Sequence, residues 1–315
     1  WDKVKANTTG LAFETQLVDR FAGFERLAKY MEPLKGTQML YYLRTYDQRM
    51  NMVSQSVANG APEILEKKRA DGQTERIVES TNGASLKGIV NTLKDAKQYI
   101  GNGEAVNQVF TTYMAAIRAA NKGIETLNFG TDKDGKPVLT QAMLYEVTNL
   151  VNANLALKKT FEDARKEYNE YNRDMLNFVA STGALSKALV QKLVAENDYI
   201  PFYRERKGIV ELVIGNESPV RIGSIAEQPY LDKLVGGDTA ILDFMTSSVQ
   251  NTNMLMDMGL RNLATKNAVM ELVDLKAATL VKKAEGPDVV KFKVEGDDRY
   301  AIIATEKVMI GNKEF

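Results

Sequence analysis

The sequence has no cysteine and no histidine. The first absence excludes disulfides, thiolate nucleophiles and Cys-x-x-Cys redox pairs, and the two together exclude every Cys/His zinc site. Without histidine there is no imidazole base for a serine or cysteine triad. Acid–base chemistry would fall to Asp, Glu, Lys or Tyr. Charge of one sign is also missing: 41 Lys and Arg balance 41 Asp and Glu, so no global basic field is present to hold nucleic acid or an anionic membrane. There is no signal peptide and no apolar run long enough to be a transmembrane helix. The segment opens on Trp1 and stops at Phe315 just after a strand-like stretch, which reads as an ordered piece of a longer polypeptide.

What is present is ordinary for a soluble globular protein, with 44% hydrophobic and 26% charged residues. A chain of 315 residues has room for two domains or one large one. Residues 11–59 read as helices, because Leu17, Phe21, Phe24 and Leu27 recur at three- and four-residue steps, as do Leu40, Leu43, Tyr46 and Met50. Pro33 and Gly36 separate these two runs, and Gly60 with Pro62 closes the second. Residues 63–104 are polar, with a short helix suggested by Leu86, Ile89 and Leu93; a further helix fits 105–128.

Residues 140–180 carry a heptad register. Val147, Asn154, Phe161, Tyr168 and Met175 fall seven apart, and Leu150, Leu157, Ala164, Tyr171 and Phe178 form a second series offset by three. One helix of ~40 residues would reach ~60 Å. Glu162 and Lys166, four apart, lie outside the seam on a solvated face. Leu185–Ala195 forms a shorter return helix. The period then changes: Ile209–Ile214 and Val220–Ile222 are strand-like, helix returns after Gly236-Gly237 with Asp238 or Thr239 as cap and runs to about Leu280, and 290–303 reads as a β-hairpin. The expected fold is mainly α, an elongated helical bundle with a long heptad-patterned helix and small β-hairpin elements in the last third. Its expected parts are a helical domain over 1–130, a long helical hairpin over 138–200 and an α+β region over 201–315.

Five stretches are candidates for chemistry. Gly130–Pro137 superficially fits GxxxxGK, but Pro137 stands where a P-loop needs Ser or Thr. Read as a calcium loop, it places Gly130 and Gln141 at the first and twelfth ligand positions, where oxygens are required. It is therefore read as a helix–helix loop. Met254, Met256 and Met258 are spread around their helix and read as core rather than as a soft partner surface. Glu66–Arg69 and Arg204–Lys207 are short charge clusters that read as a solvated helix face or loop. In Asn197–Glu205, NDYIPFYRE, Pro201 ends a helix and Tyr199, Phe202 and Tyr203 fold back over its end. No catalytic, cofactor-binding or metal-ligating residue is assigned, and no cofactor is expected.

The stretch Asp198, Tyr199, Pro201, Phe202, Tyr203, Arg204 nevertheless resembles the D-Y-[VI]-P-F-Y-R signature of very large polyvalent proteins of tailed phages. Leu17–Ala22, LVDRFA, resembles their L-V-D-R-F-A run, although Gly23-Phe24 follows where Pro-Leu is frequent. Val294–Tyr300, VEGDDRY, resembles their V-x-G-x-x-x-Y strand pair. The resemblance implies a non-catalytic helical region of an internal virion, or ejection, protein. Such a protein resides in the capsid interior or tail and passes into the host envelope as part of the genome-delivery assembly. It implies other virion proteins or further copies of the chain as partners, with DNA and the host envelope as possible contacts of the assembly. The alternative is an accessory domain of a giant virion-associated enzyme such as a virion RNA polymerase.

Overall fold

The computed structural model describes residues 24–25, 27–122, 139–195 and 242–304, with the backbone of 309–310 and 313–314. The runs around Leu17 and Phe21, the loop before Pro137, the stretch from Asn197 to Thr239 and its strand-like segments lie outside the described residues.

The chain is mainly helical. Helix α1 (Pro33–Asp47) opens with proline, whose fixed φ and missing N–H suit the first turn. Gly36 is not a breaker, contrary to the sequence reading. It lies inside α1, where a Cβ would sit 2.7 Å from the carbonyl oxygen of Ala28, so its smallness permits a close backbone approach. Gln48 interrupts the helix, and α2 (Arg49–Asn59) ends at Gly60.

Residues 62–80 correct the sequence reading more substantially. They form strands β1 (Pro62–Lys68) and β2 (Thr74–Ser80), an antiparallel hairpin with Leu65 opposite Ile77. Its turn holds Asp71-Gly72, with Asp71 Oδ1 accepting from Gln73 N at 3.0 Å. Small β elements are therefore not confined to the last third. Helix α3 (Leu86–Leu93) is capped by Ser85, and Leu86, Ile89 and Leu93 are buried as their spacing predicts. A 3₁₀ turn and the short α4 (Lys97–Ile100) lead to α5 (Gly103–Lys122), which buries Val106, Phe110 and Tyr113.

The expected 40-residue helix is two helices, α6 (Gln141–Ala153) and α7 (Leu155–Ser181). Asn154 breaks it: its extended backbone closes α6, and its Oδ1 accepts from the N–H groups of Ala156 and Leu157, both at 3.1 Å, to open α7. From Leu157 to Phe178 every seam position is buried, whereas the seam position Leu150, before the break, is 46% exposed. The seam packs against neighbouring helices of a shared core. Glu162 pairs with Lys158 at 3.9 Å. Helix α8 (Lys187–Ala195) returns as expected.

Helix α9 (Phe244–Asp274) runs through the middle of the packing and is capped by Asp243. Met256 and Met258 are buried in it, as read. Phe110 of α5 meets Phe161 of α7 and Phe244 of α9 edge-on at centroid distances of 5.1 and 4.9 Å, and Tyr168 joins them against Phe244 at 4.8 Å. The main core draws on residues from Tyr42 to Ala264.

Helix α9 stops at Asp274, short of the expected Leu280, because Ala278–Val281 form strand β3. With β4 (Val289–Val294) and β5 (Asp297–Ile303) it makes an antiparallel sheet in the order β3-β5-β4. The expected hairpin is β4–β5. Its two-residue turn, Glu295-Gly296, has φ of 53° and 88°, the positive pair of the tight turns that suit strand twist. A side chain at Gly296 would meet the backbone nitrogen of Ser186 at 2.7 Å, so the turn sits directly on the α7–α8 joint. A last pair, β6 (Met309–Ile310) and β7 (Lys313–Glu314), is antiparallel.

Candidate functional site

The signature residues Asp198, Tyr199, Pro201, Phe202, Tyr203 and Arg204 lie outside the described residues, as do the GxxxxGK-like loop and the Arg204–Lys207 cluster. Three other features hold polar groups in defined geometry.

The first is a charged knot between α1, α2 and α9. Asp257 is almost fully buried; its Oδ1 lies 3.2 Å from Arg49 Nε and its Oδ2 2.8 Å from an Arg261 terminal nitrogen. The Tyr46 hydroxyl accepts from Arg261 Nε at 3.0 Å and reaches Asp257 Oδ1 at 3.3 Å. Both guanidinium groups also lie over the Tyr46 ring, at 5.1 and 5.8 Å. Burial opposes the charge on Arg261, but Asp257 and Tyr46 more than offset it and hold the guanidinium above its ordinary value. Both carboxylate oxygens are engaged, so this knot ties the Gln48 break in α1–α2 to the central helix. The sequence signal for it is Asp257 and Arg261 four apart on one helix face, hidden among methionines.

The second is a line of buried polar side chains on α9. Thr252 Oγ1 and the Tyr171 hydroxyl are 2.8 Å apart, and Asn251 Nδ2 donates to Asn172 Oδ1 at 3.2 Å. Burial pushes the Tyr171 phenol well above its usual range, with the Thr252 hydrogen bond acting the other way. These pairs fix the register of α9 against α7. A groove of about 510 Å³ lies beside them, lined by Glu162, Lys166, Glu170 and Arg173 of α7 and by Leu193 of α8. Its charges balance, with three acidic and three basic residues on its walls.

The third is the β1–β2 hairpin. Its base is anchored: Pro62 and Val78 are buried. Its tip, with Glu66-Lys67-Lys68, is exposed and solvated as the sequence reading expects, although on a strand. Glu66 accepts from Arg76 Nε at 3.0 Å, and Lys67 donates to Glu79 at 2.6 Å. The outer edge of β2 is sealed by α1. Gln38 exchanges two hydrogen bonds with Arg76, accepting from its N–H at 2.8 Å and donating to its C=O at 2.6 Å. Tyr41 accepts from Val78 N at 2.8 Å. In an antiparallel pair this makes the opposite residues, Glu66 and Ile64, point their own N–H and C=O groups outward on β1. Among the described residues no hydrogen bond seals that edge.

Among the described residues no group of three or more His, Cys, Asp or Glu side chains is placed to hold a metal ion, and no helix is long and apolar enough to cross a membrane. No protein-family model, no curated protein and no solved structure matches the chain.

Proposed function

We propose that the chain is a structural segment of an internal virion protein of a tailed phage, delivered into the host envelope as part of the genome-delivery assembly. The observation that carries this reading is the ordered run of LVDRFA, DYIPFYRE and VEGDDRY along the sequence. The fold is consistent with a scaffold role. The VEGDDRY stretch forms the tight β4–β5 hairpin seated on the α7–α8 joint. The buried charges and amides described above are committed to holding helices and strand edges together. In this role the chain works as a rigid spacer that presents surfaces to other virion proteins or to further copies of itself.

The test is protein mass spectrometry on purified particles of the phage that encodes the chain, and on host envelope fractions after adsorption. Peptides of this chain should be present in particles before infection and in the envelope fraction after it. Peptides found only in infected cytosol, and absent from particles, would overturn the proposal.

A further inference from the structure

We infer that the outer edge of β1 is a self-association surface, on which a second copy of the chain adds its own β1 antiparallel across a twofold axis at Leu65. The inference deepens the assembly reading above by naming the partner as another copy, and it rests on that reading only for its biological setting.

The strand edges are not alike. The outer edge of β2 is closed by Gln38 and Tyr41, and that of β4 by Asn262, which bonds both main-chain groups of Lys293. An unsealed edge is a template for another strand. On β1 the outward groups are those of Ile64, Glu66 and Lys68, and from Leu65 to Lys68 the side chains are exposed. Pro62 and the two lysines blunt this edge against strands in general. They also restrict it to a partner that sets carboxylates against lysine.

The sequence of β1 supplies that partner. With Leu65 on the axis, Glu63 of each copy stands directly opposite Lys67 of the other, twice by symmetry, and Leu65 faces Leu65 in the close, non-hydrogen-bonded type of pair. On the other face Ile64 stands opposite Glu66. The central ladder is closed by the N–H and C=O of Ile64 exchanging bonds with those of Glu66 in the second copy. Shifting the axis to Glu66 would set Glu66 against Glu66, and shifting it to Ile64 would leave Glu63 against Leu65. The Leu65 register crosses opposite charges and opposes no like ones. An isologous contact of this kind closes at two copies, giving a four-stranded sheet in the order β2-β1-β1-β2.

The absence of cysteine makes the test clean. In the 315-residue chain carrying Leu65→Cys, the two thiols meet across the axis and should form a disulfide-linked dimer in a glutathione buffer. The rate should exceed that of Lys67→Cys by about tenfold or more, since opposed side chains of such pairs lie about 5 Å apart. A mixture of Glu63→Cys and Lys67→Cys chains should cross-link into the mixed dimer. Sedimentation velocity should show a concentration-dependent dimer. Glu66→Pro removes the outward N–H without touching the β1–β2 ladder, and Lys67→Glu sets Glu against Glu. Each should weaken the dimer by about tenfold or more while circular dichroism stays unchanged. Equal cross-linking rates for Leu65→Cys and Lys67→Cys, or a dimer indifferent to Lys67→Glu, would overturn the inference. So would a chain that stays monomeric up to millimolar concentration. A monomeric chain that is nevertheless found in particles would overturn the pairing alone and leave the virion reading standing.

Discussion

Asn262 holds Lys293 by both of its main-chain groups: Oδ1 accepts from Lys293 N at 2.7 Å, and Nδ2 donates to Lys293 O at 3.1 Å. The same Nδ2 reaches the carbonyl of Thr182 at 3.0 Å. One amide on α9 thus stands in for a neighbouring strand along the edge of β4 and ties the C-terminal sheet to the end of α7. Asn262→Ala leaves these groups unpaired and should cost about 2–3 kcal/mol in urea unfolding. Asn262→Asp keeps the acceptor but loses the donor to two carbonyls, and should be no better tolerated. Hydrogen exchange gives a local readout: the Lys293 amide, protected in the native chain, should exchange much faster in either variant. An unchanged exchange rate at Lys293 would remove the amide from this role.

Phe244 sits at the start of α9 between Phe110 and Tyr168 and is completely buried. Truncation there opens a cavity among aromatic rings that cannot easily collapse. Phe244→Ala should cost about 3–5 kcal/mol, and Phe244→Leu clearly less, as measured by the shift in urea midpoint. A cost for Phe244→Ala below about 1 kcal/mol would mean that this aromatic junction is not the packing centre described.

Ser56 presents the opposite case. It is fully buried on α2, on the helix that also buries Met52 and Val53, and its hydroxyl has no hydrogen-bond partner among the described residues. Ser56→Ala removes a desolvated hydroxyl and improves helix propensity, so it should raise stability by roughly 0.5–1.5 kcal/mol. A melting temperature lowered by the substitution would show that the hydroxyl is satisfied in solution.

How much of this could be read beforehand depends on the range over which each signal acts. The seam from Leu157 to Phe178 was legible because a single helical face repeats the same demand every three or four residues. Its break was not, because an asparagine in a heptad position and an asparagine capping a helix are the same letter. The extended backbone of Asn154, its hydrogen bonds to the N–H groups of Ala156 and Leu157, and the exposure of Leu150 separate the two. The β1–β2 hairpin was missed although Asp71-Gly72 is a standard turn pair: adjacent Ile64 and Leu65 spoil the alternation that marks a half-buried strand. Short local patterns found α3, α8 and the β4–β5 hairpin. The Asn262–Lys293 and Gln38–Arg76 contacts join residues 31 and 38 positions apart, and no local pattern announces them.

Alkaline pH should destabilise the fold through its buried phenols. Burial pushes Tyr42 up to about 12, with Arg76 acting weakly the other way. An unfolded tyrosine ionises near 10, so between pH 10 and 12 the unfolded chain releases a proton that the folded chain retains. The contribution is fully present below pH 10 and is lost as pH rises through 12. It amounts to roughly 1 kcal/mol at pH 11 for this one group. Urea unfolding at pH 9, 10 and 11 should show the loss, and Tyr42→Phe should reduce it. A stability profile flat to pH 11 would contradict the burial of Tyr42.

Asp243 predicts a response at the acid end. Burial tends to raise its pKa, but hydrogen bonds from the Thr246 side chain, from Asn107 and from the N–H groups of Thr246 and Met245 outweigh it and hold the carboxyl below its ordinary value. Its Oδ1 accepts from Thr246 N at 3.0 Å and Asn107 Nδ2 at 2.8 Å, and its Oδ2 from Thr246 Oγ1 at 2.6 Å. The carboxylate also faces the positive end of the α9 dipole. Because the folded value is depressed, the stabilisation is present above about pH 4, where the unfolded aspartate ionises, and is lost as pH falls through the folded value. Asp243→Ala removes the cap at every pH and should cost about 1–2 kcal/mol at neutrality. Asp243→Asn keeps one capping oxygen but no titrating proton. It should cost less at pH 7, and the difference from the native chain should shrink as pH falls from 4 to 2. A gap between the native chain and Asp243→Asn that is constant over that interval would show that the carboxylate charge contributes nothing to holding the start of α9.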